Sequence, residues 1–383
     1  MNNPDKYKKL ISYGWNGSFE GEFEPYAREG YVPARIVRGG RGIFGAVGAA
    51  GDLRLEPSGS FRHLTDIGLQ DIPVVGDWCA VSGTADTEAT GNGAAAAGPT
   101  VPRARIEGVL PRKTVLYRAA ADSTKEAPGT SEAAVANIDT VAAVMDIARD
   151  FNLRRVERFL ANIESGGAEA ALILTKIDLV DDPEAFRRRT ETRFRGLRIF
   201  LIDSISGRGR DDLAALFEPE STTALVGMSG AGKSTLLNLI MGRPTAKTAV
   251  VREQDGRGRH TTTERTLYLL PGGGLLIDTP GIRAVGISAG RGAVESSFED
   301  IHALAEECRF SDCTHRHEPG CAVQKALADG LIEQDRYLNF LRILSEAVTA
   351  EEEQRRRKEK DEYIGRIQYH MRRERQRKDR CGR

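Results

Sequence analysis

The stretch "TALVGMSGAGKSTLLNLIMG" at residues 223–242 constrains the fold of this chain more than any other feature. A strand-like apolar run leads into Gly227-x4-Gly232-Lys233-Ser234, and a helix-like run follows. Glycines let backbone N–H groups approach phosphates, and the N-terminus of a helix adds its dipole. The pattern predicts an α/β fold with a phosphate-binding loop, in which Lys233 reaches the β- and γ-phosphates and Ser234 binds Mg²⁺. The predicted nucleotide contacts are Gly227, Met228, Ser229, Gly230, Ala231, Gly232, Lys233, Ser234 and Thr235.

A second stretch, "LILTKIDL", predicts which base this loop accepts. It has the pattern of a buried strand that ends in a polar loop beginning at Thr175. The Asp178 carboxylate can accept two hydrogen bonds from the N1–H and the 2-amino group of guanine, an arrangement that adenine does not offer. The aliphatic stem of Lys176 can lie along the base. The loop "DSISGRG" follows the next strand, where a backbone N–H near Ser204 would contact the guanine O6, so GTP is the predicted nucleotide.

Two further elements predict how Mg²⁺ and the γ-phosphate are held. In "LLIDTPG" a carboxylate ends a strand, so Asp278 would hold Mg²⁺ through water while the Gly281 N–H contacts the γ-phosphate. The polar, flexible stretch "GRGRHTTTERT" lies between this element and the phosphate loop. A loop that closes around Mg²⁺ needs a hydroxyl, and Thr262 is preferred over Thr261 and Thr263 as its source.

The same elements predict slow unassisted hydrolysis. Ile282 follows the glycine of "DTPG", where many small GTPases carry a glutamine that orients water, and isoleucine cannot do so by hydrogen bonding. Phosphoryl transfer depends on positioning and charge stabilisation. We expect Lys233 and Thr262 to supply part of both. His260 is the candidate for the missing group, the alternative being a histidine that faces phosphate or RNA.

The order of these elements along the chain is unusual. Both base loops precede the phosphate loop, which is followed by the threonine-rich loop and then by "DTPG". Only spatial positions matter to a binding site, and chain termini commonly lie close enough to be joined. The order therefore predicts a circularly permuted nucleotide-binding domain. In this arrangement the "DTPG" element, which is predicted to contact the γ-phosphate, leads directly into a cysteine-rich stretch.

Short β-like runs between Tyr31 and about Leu116 predict a small β-barrel. Strand–helix alternation from about residue 135 predicts a mostly parallel sheet, and "RTLYLLPGGGLLID" predicts a hairpin. The low-complexity stretch 87–101 predicts a loop between two barrel strands. The predicted domains are a flexible N-terminus (1–30), the barrel (31–118), the permuted nucleotide-binding domain (119–289) and a helical metal-binding domain with a basic tail (290–383).

Three of the five cysteines lie between residues 308 and 321, which favours a metal site in a reducing compartment over a disulfide framework. Three thiolates and one imidazole suit a structural Zn²⁺ ion, and full ligation by protein leaves no open position for catalysis. His317 is the alternative to His315 as the histidine ligand. The predicted ligands are Cys308, Cys313, His315 and Cys321.

Charge and hydropathy bound the partners and the location. The sequence has no apolar run long enough for a transmembrane helix and no signal-peptide core at its start, so a cytoplasmic protein that does not contact membranes is expected. From Gln354 to Arg383 there are 13 Lys or Arg against 5 Asp or Glu. This tail suits contact with RNA or is a solvated charged helix.

The combination of the permuted order, "GRHTTT", "DTPG" and "CRFSDCTHRHEPGCAV" resembles the ribosome small-subunit-dependent GTPase A family (RsgA, also called YjeQ). "PVVGDW" in the barrel and "VLPRKTVLYR" at its exit agree with it. The resemblance implies an N-terminal OB-fold, a circularly permuted P-loop GTPase domain and a C-terminal zinc domain. It also implies a late-acting assembly factor that binds the 30S subunit and its 16S rRNA, and whose hydrolysis that subunit stimulates. It points to His260 as well, and we expect a monomer.

Three departures from the family pattern affect these expectations. Thr175 stands where Asn is usual, which removes an amide that braces the phosphate loop, although a hydroxyl can serve in part. Asp203 and Ser204 replace Ser-Ala in the second base loop, and 87–101 is an insertion. Two other functions stay open: a nucleotide-gated binding module in which slow hydrolysis is only a timer, and a metabolic NTPase, for which no further catalytic constellation is visible.

Overall fold

A computed structural model describes residues 7–40, 42–66, 70–83, 101–119, 131–149, 151–245, 265–279, 291–349 and 352. The chain divides into two compact units. The first is formed by Met1–Arg118 and Ala133–Val285, and the second by Ala119–Glu132 and Gly286–Arg383. The barrel and the nucleotide-binding sheet both lie in the first unit. The boundaries inferred from the sequence for three separate domains therefore stay predictions.

The first unit contains a closed barrel whose five strands are β1 (Val32–Arg38), β2 (Phe44–Gly48), β3 (Gly51–Pro57), β4 (Trp78–Ser82) and β5 (Arg103–Val109), with helix α3 (Gly59–Asp66) between β3 and β4. The pairings run β1–β2–β3–β5–β4 and return from β4 to β1. Strand β3 buries Leu53 and Leu55 and exposes Arg54, because successive side chains of a strand point to opposite faces. The predicted OB-type barrel is confirmed.

The segment before the barrel is helical, so the prediction of a flexible N-terminus is wrong from residue 7 onward. Its helices are α1 (Lys8–Ile11) and α2 (Gly17–Arg28). Trp15, Phe19 and Phe23 follow one another at four-residue spacing and are buried. The rings of Trp15 and Trp78 lie 4.8 Å apart between centroids. The segment is ordered because this aromatic stripe covers the barrel; residues 1–6 lie outside the described part.

The two family-like motifs of the barrel meet in a buried ion pair. Arg112 of "VLPRKTVLYR" donates to both carboxylate oxygens of Asp77 of "PVVGDW", at 2.9 and 2.8 Å. The Asp77 side chain is fully buried, and the Val74 N–H donates to it at 2.8 Å. Burial raises the pKa of Asp77, and the Arg112 guanidinium opposes that rise. The pair links the chain leaving the barrel to the turn before β4.

We expect Arg112→Met to lower the free energy of unfolding of the barrel by about 3–5 kcal/mol, because it leaves a buried carboxylate without its cation. Both tryptophans of the chain lie in or beside the barrel, so denaturant unfolding followed by tryptophan fluorescence measures the change. Arg188→Met is the control, since its ion pair with Asp182 is exposed and should contribute less than about 1 kcal/mol. Equal effects of the two substitutions would contradict the prediction.

The nucleotide-binding sheet is built from β8 (Thr140–Asp146), β9 (Glu169–Thr175), β10 (Arg198–Ile202), β11 (Thr222–Val226), β12 (Thr266–Leu269) and β13 (Leu275–Asp278), while β6 (Val115–Ala119) and β7 (Ser131–Ala136) form a separate pair. The order in space is β10-β9-β8-β11-β13-β12. All neighbours are parallel except β12 and β13, which form the predicted hairpin. The helices of this part are α4 (Leu153–Ser165), α5 (Pro183–Arg193) and α6 (Lys233–Met241).

The strand order explains the permutation. Strand β11 leads into the phosphate loop and lies in the middle of the sheet, between β8 and β13. The three strands on its β8 side precede it in the chain, and the two on its β13 side follow it. Because the carboxyl ends of the parallel strands meet at one edge, both base loops, the phosphate loop and Asp278 reach the same edge despite their order.

The barrel is continuous with this sheet. Strand β1 pairs antiparallel with β12 through Arg38 and Thr266, and the Gly39 N–H donates to the Arg265 carbonyl at 3.1 Å. Within the described residues this produces one sheet of eleven strands. Strand β12 is the first described element after the threonine-rich loop, so that loop ends on a strand which a barrel strand holds in place.

A buried arginine strengthens the junction between barrel and sheet. The Arg35 guanidinium donates to the carbonyls of Gly76 (3.3 Å) and Asn137 (2.8 Å), to the Thr222 hydroxyl (3.1 Å), and to the Tyr13 carbonyl. These acceptors belong to the N-terminal segment, the barrel and the nucleotide-binding sheet. Burial lowers the pKa of Arg35 to about 10, and neutral oxygens take the place of water around its charge.

The second unit is mainly helical between residues 291 and 349. Its helices are Arg291–Ser297, Glu299–Ala305, Ala322–Ala328 and 334–349. Phe298, Ile301 and Val323 are fully buried, and the Phe298 ring packs against Phe340 at 5.4 Å. Among the described helices, none has the length and apolar character needed to cross a bilayer. The predicted basic tail and all of the 87–101 loop except Val101 lie outside the described residues.

Candidate functional site

The phosphate loop has the backbone that its glycines predict. Gly227, Gly230 and Gly232 have φ angles of 149°, 86° and 91°, a region that side chains disfavour. A Cβ atom on Gly227 would lie 2.3 Å from the Val144 carbonyl oxygen. Ser229 and Gly230 are exposed, so the loop presents open backbone to a ligand. These positions explain why the loop requires glycine.

Lys233 begins helix α6 directly after the loop. Its ammonium group donates to the carbonyls of Gly227 at 2.7 Å and Met228 at 2.9 Å. The side chain is thereby folded over the loop, where its positive charge adds to the helix dipole. Ser234 and Thr235 follow in the first turn and are half-buried. The arrangement can bind a polyphosphate and place a hydroxyl beside it.

Thr175 connects the first base loop to the phosphate loop. Its hydroxyl lies 2.7 Å from the Ala231 carbonyl and 3.1 Å from the Met145 carbonyl. A hydroxyl has one proton to donate, so the shorter contact to Ala231 is the stronger one. A Cβ on Gly232 would lie 3.5 Å from this hydroxyl. Thr175 therefore provides the brace that the sequence predicts for it in part.

The residues predicted to read the base lie at the end of β9. Lys176 has a left-handed backbone with φ 60°, and a 3-10 turn, Ile177–Leu179, follows. Asp178 is exposed, and no hydrogen bond or ion pair to it occurs within the described residues. Its carboxylate is thus available to accept hydrogen bonds from a ligand.

The second base loop is shaped by Asp203. Its carboxylate accepts the Ile205 N–H at 2.9 Å, and a hydrogen bond from the Ser206 hydroxyl lowers the pKa of Asp203. Asp203 therefore organises the loop internally. The Ser204 hydroxyl is buried and has no partner in the part of the chain that the structure describes. The predicted contact from this loop to the guanine O6, a backbone N–H near Ser204, stays a prediction.

Asp278 ends β13 and is paired in register with Leu225, two residues before the phosphate loop. The buried Thr279 hydroxyl donates to the Leu225 carbonyl and fastens the start of the "DTPG" turn to β11. Asp278 is therefore held at the edge where the phosphate loop begins. The other predicted γ-phosphate and catalytic residues, namely Gly281, Thr262 and His260, lie outside the described residues.

The second unit brings the four predicted metal ligands together. The ligand atoms of Cys308, Cys313, His315 and Cys321 all lie within 4.8 Å of one another. His315 Nδ1 lies 3.6 Å from the sulfurs of Cys308 and Cys321, which are 3.8 Å apart. Tetrahedral zinc with its usual bond lengths requires about 3.8 Å between sulfurs and about 3.5 Å between sulfur and nitrogen. The donor set fits Zn²⁺, and the exposed His317 is not part of it.

Side chains around the cluster hold His315 in place. Its carbonyl accepts hydrogen bonds from Gln324 Nε2 at 2.6 Å and from the Tyr337 hydroxyl at 2.7 Å. Glu318 accepts the backbone N–H groups of Thr314, Arg316 and His317 and also the Thr314 hydroxyl, which holds the pKa of Glu318 well below its usual range. This fixes the turn in which His315 has φ 59°. The motif alone did not predict these supporting residues.

Known proteins match this chain in sequence over most of its length. A family model described as RsgA GTPase matches residues 109–288. The chain is 36% identical over 342 residues to "Small ribosomal subunit biogenesis GTPase RsgA" of Syntrophotalea carbinolica, covering 88% of this chain and 89% of the relative. A relative of the same name from Streptomyces coelicolor is 38% identical, with 89% and 87% covered.

The chain belongs to the RsgA GTPase family. It is therefore a GTP-hydrolysing enzyme that uses GTP with Mg²⁺. The resemblance found in the motifs is confirmed by matches that extend over nearly the whole chain.

Solved structures of related proteins agree with the fold. The crystal structure of YjeQ from Thermotoga maritima superposes with a TM-score of 0.58 at 25% identity, covering 83% of this chain and 99% of that one. The structure of YloQ, described as a circularly permuted GTPase, gives a TM-score of 0.54 at 21% identity, with 83% and 95% covered. The permuted RsgA fold predicted from the order of the motifs is confirmed.

Proposed function

We propose that this RsgA-family GTPase binds the 30S ribosomal subunit through its 16S rRNA, acts in the late assembly of that subunit, and is stimulated by it to hydrolyse GTP. The names of its relatives, which refer to biogenesis of the small ribosomal subunit, support the partner. In this proposal the protein works as a monomer in the cytoplasm. OB-type barrels and small zinc domains are both common platforms for RNA.

The observation that carries the stimulation is the pairing of β1 with β12. The barrel strand holds the first strand after the threonine-rich loop, through Arg38 and Thr266. RNA bound to the barrel would therefore act next to the loop that carries Thr262 and His260. Ordering these side chains around the γ-phosphate would orient the attacking water, which Ile282 cannot do by hydrogen bonding.

The site residues have distinct roles in this proposal. Lys176, Asp178 and Ser204 bind the base, and Thr175 braces the phosphate loop from the start of the base loop. The phosphate loop, with Gly281, holds the phosphates, and Mg²⁺ is bound by Ser234, Thr262 and, through water, Asp278. One Zn²⁺ in the Cys308, Cys313, His315 and Cys321 cluster is structural: its four ligands all come from protein, so it supplies folding energy and not chemistry.

Initial rates of GTP hydrolysis with purified 30S subunits, 50S subunits and free 16S rRNA test the proposal. We expect the 30S subunit to raise the rate by at least about tenfold, or about 1.4 kcal/mol of the barrier, while the other two raise it much less. Lys233→Ala should abolish both basal and stimulated hydrolysis. Tight 30S binding without any stimulation would favour the nucleotide-gated timer, and neither binding nor stimulation would reject the ribosomal partner.

A further inference from the structure

Lys176 is held by a buried carboxylate from a neighbouring strand. Its ammonium group lies 2.5 Å from Asp146 Oδ2, at the end of β8. Asp146 is 2% exposed, and its other oxygen accepts the Ala148 N–H at 3.0 Å. Asp146 is in register with Thr175, and the Ile147 N–H donates to the Thr175 carbonyl at 3.2 Å. The end of β8 therefore fixes both the backbone and the side chain at the start of the base loop.

The side chain of Lys176 needs such a support to bind a base. Its four-carbon stem is flexible, and its strongly hydrated ammonium group would otherwise remain in water in many rotamers. Lys176 also has a backbone conformation that few residues other than glycine adopt. A carboxylate that is buried and already fixed by a backbone N–H holds the ammonium at one point. The stem between that point and the backbone is then presented in one direction.

The geometry points to Asp146 as a positioning residue of the guanine site. It acts through Lys176: the ion pair preorganises the lysine stem along the face of the base, so that less conformational freedom is lost when the nucleotide binds. Asp146 does not touch the phosphates or the reacting atoms in this inference. It determines affinity for the nucleoside and leaves the hydrolytic step unchanged. The inference rests on the proposed placement of the guanine base at Lys176 and Asp178.

The test compares Asp146→Asn, Lys176→Met and the double variant in the full-length protein. Asp146→Asn keeps the size of the side chain and an acceptor for Ala148, and Lys176→Met keeps an unbranched stem without the charge. We expect each single variant to weaken GTP and GDP binding by about tenfold. The KM for GTP should rise by the same factor while kcat stays within about twofold. Competition by pyrophosphate, which has no base, should not change.

Glu169→Gln is the matched control. It removes an exposed ion pair with Arg198 from the opposite end of the same sheet, so nucleotide affinity should be unaltered. In the Lys176→Met background, Asp146→Asn should change affinity by less than about twofold, because residues that act through one contact are not additive. If Asp146→Asn does not fold, Asp146→Ser takes its place, because serine removes the charge and can still accept the Ala148 N–H. The same loss of nucleotide affinity with unchanged pyrophosphate competition is expected, and unchanged affinity would overturn the inference.

Three results would overturn the inference: unchanged nucleotide affinity in Asp146→Asn, an equal loss in the Lys176→Met background, or a parallel loss of pyrophosphate binding. Asp178→Asn separates this failure from failure of the proposed site. If that variant keeps its preference for guanine, the base does not lie at this loop. If it loses the preference while Asp146→Asn binds normally, the site is right and the positioning role is wrong.

Discussion

Asp178→Asn is expected to weaken GTP and GDP binding by roughly 10²- to 10⁴-fold and to strengthen binding of xanthosine triphosphate. The Asp178 carboxylate is exposed at the end of β9 and accepts no hydrogen bond from the described residues. Guanine would supply two donors to it, and hydrogen bonds to a charged group contribute about 1.5–3 kcal/mol each. The amide nitrogen of the asparagine would place a hydrogen-bond donor against one of the two guanine donors. Xanthine has a carbonyl at position 2, which that amide can donate to.

Equilibrium titration of GTP, GDP, ATP and xanthosine triphosphate measures this change. Asp182→Asn is a matched control four residues away. Asp182 caps helix α5 by accepting the Ala185 N–H at 3.0 Å, a role that asparagine also performs well. The control should bind guanine nucleotides like wild type. If wild type binds ATP as tightly as GTP, the base loop has been assigned to the wrong residues.

Removal of the metal is expected to unfold the region around residues 308–321 while leaving GTP binding intact. Zn²⁺ bound to structural sites of this kind contributes about 10–16 kcal/mol in small zinc domains, which is comparable to the whole net stability of a domain. Cys313→Ser removes one thiolate of the cluster and should therefore lose zinc. The hydrogen bonds from Gln324 and Tyr337 to the His315 carbonyl should be lost with it, because they depend on the position of that turn.

Mass spectrometry measures the zinc content per protein, and limited proteolysis measures the unfolding of the second unit. His317→Ala is the control, because His317 is exposed and lies outside the cluster of ligand atoms. It should retain zinc, whereas His315→Ala should not. Equal zinc content in Cys313→Ser and wild type would rule out this ligand set.

Features that depend on residues close together in sequence could be predicted. The glycines of the phosphate loop, the β12–β13 hairpin and the spacing of the cysteines each state a local requirement of backbone or ligand geometry. The order of the motifs was enough to predict the permutation, because a circular permutation changes the order of the motifs along the chain and leaves their positions in space unchanged.

Features that depend on distant partners could not be predicted. Asp146 and Lys176 are 30 residues apart, and nothing in either stretch alone indicates that they pair. The N-terminal helices were missed because their aromatic stripe gains stability only from the barrel surface that it covers. Arg35 could be recognised as buried only once its acceptors were placed around it.

The Arg35 network has a consequence for the order in which the ribosome makes this chain. The guanidinium emerges early, yet two of its acceptors are supplied by Asn137 and Thr222, which are 102 and 187 residues further along. A buried charge without its acceptors is costly. The nascent barrel therefore cannot reach its final packing as soon as its own strands have been synthesised. It must wait until β11 has left the exit tunnel, and β1 waits longer for its partner β12. Because non-local contacts of this kind slow folding, the unfinished barrel remains exposed to chaperones and to aggregation while the strands that follow it are being translated.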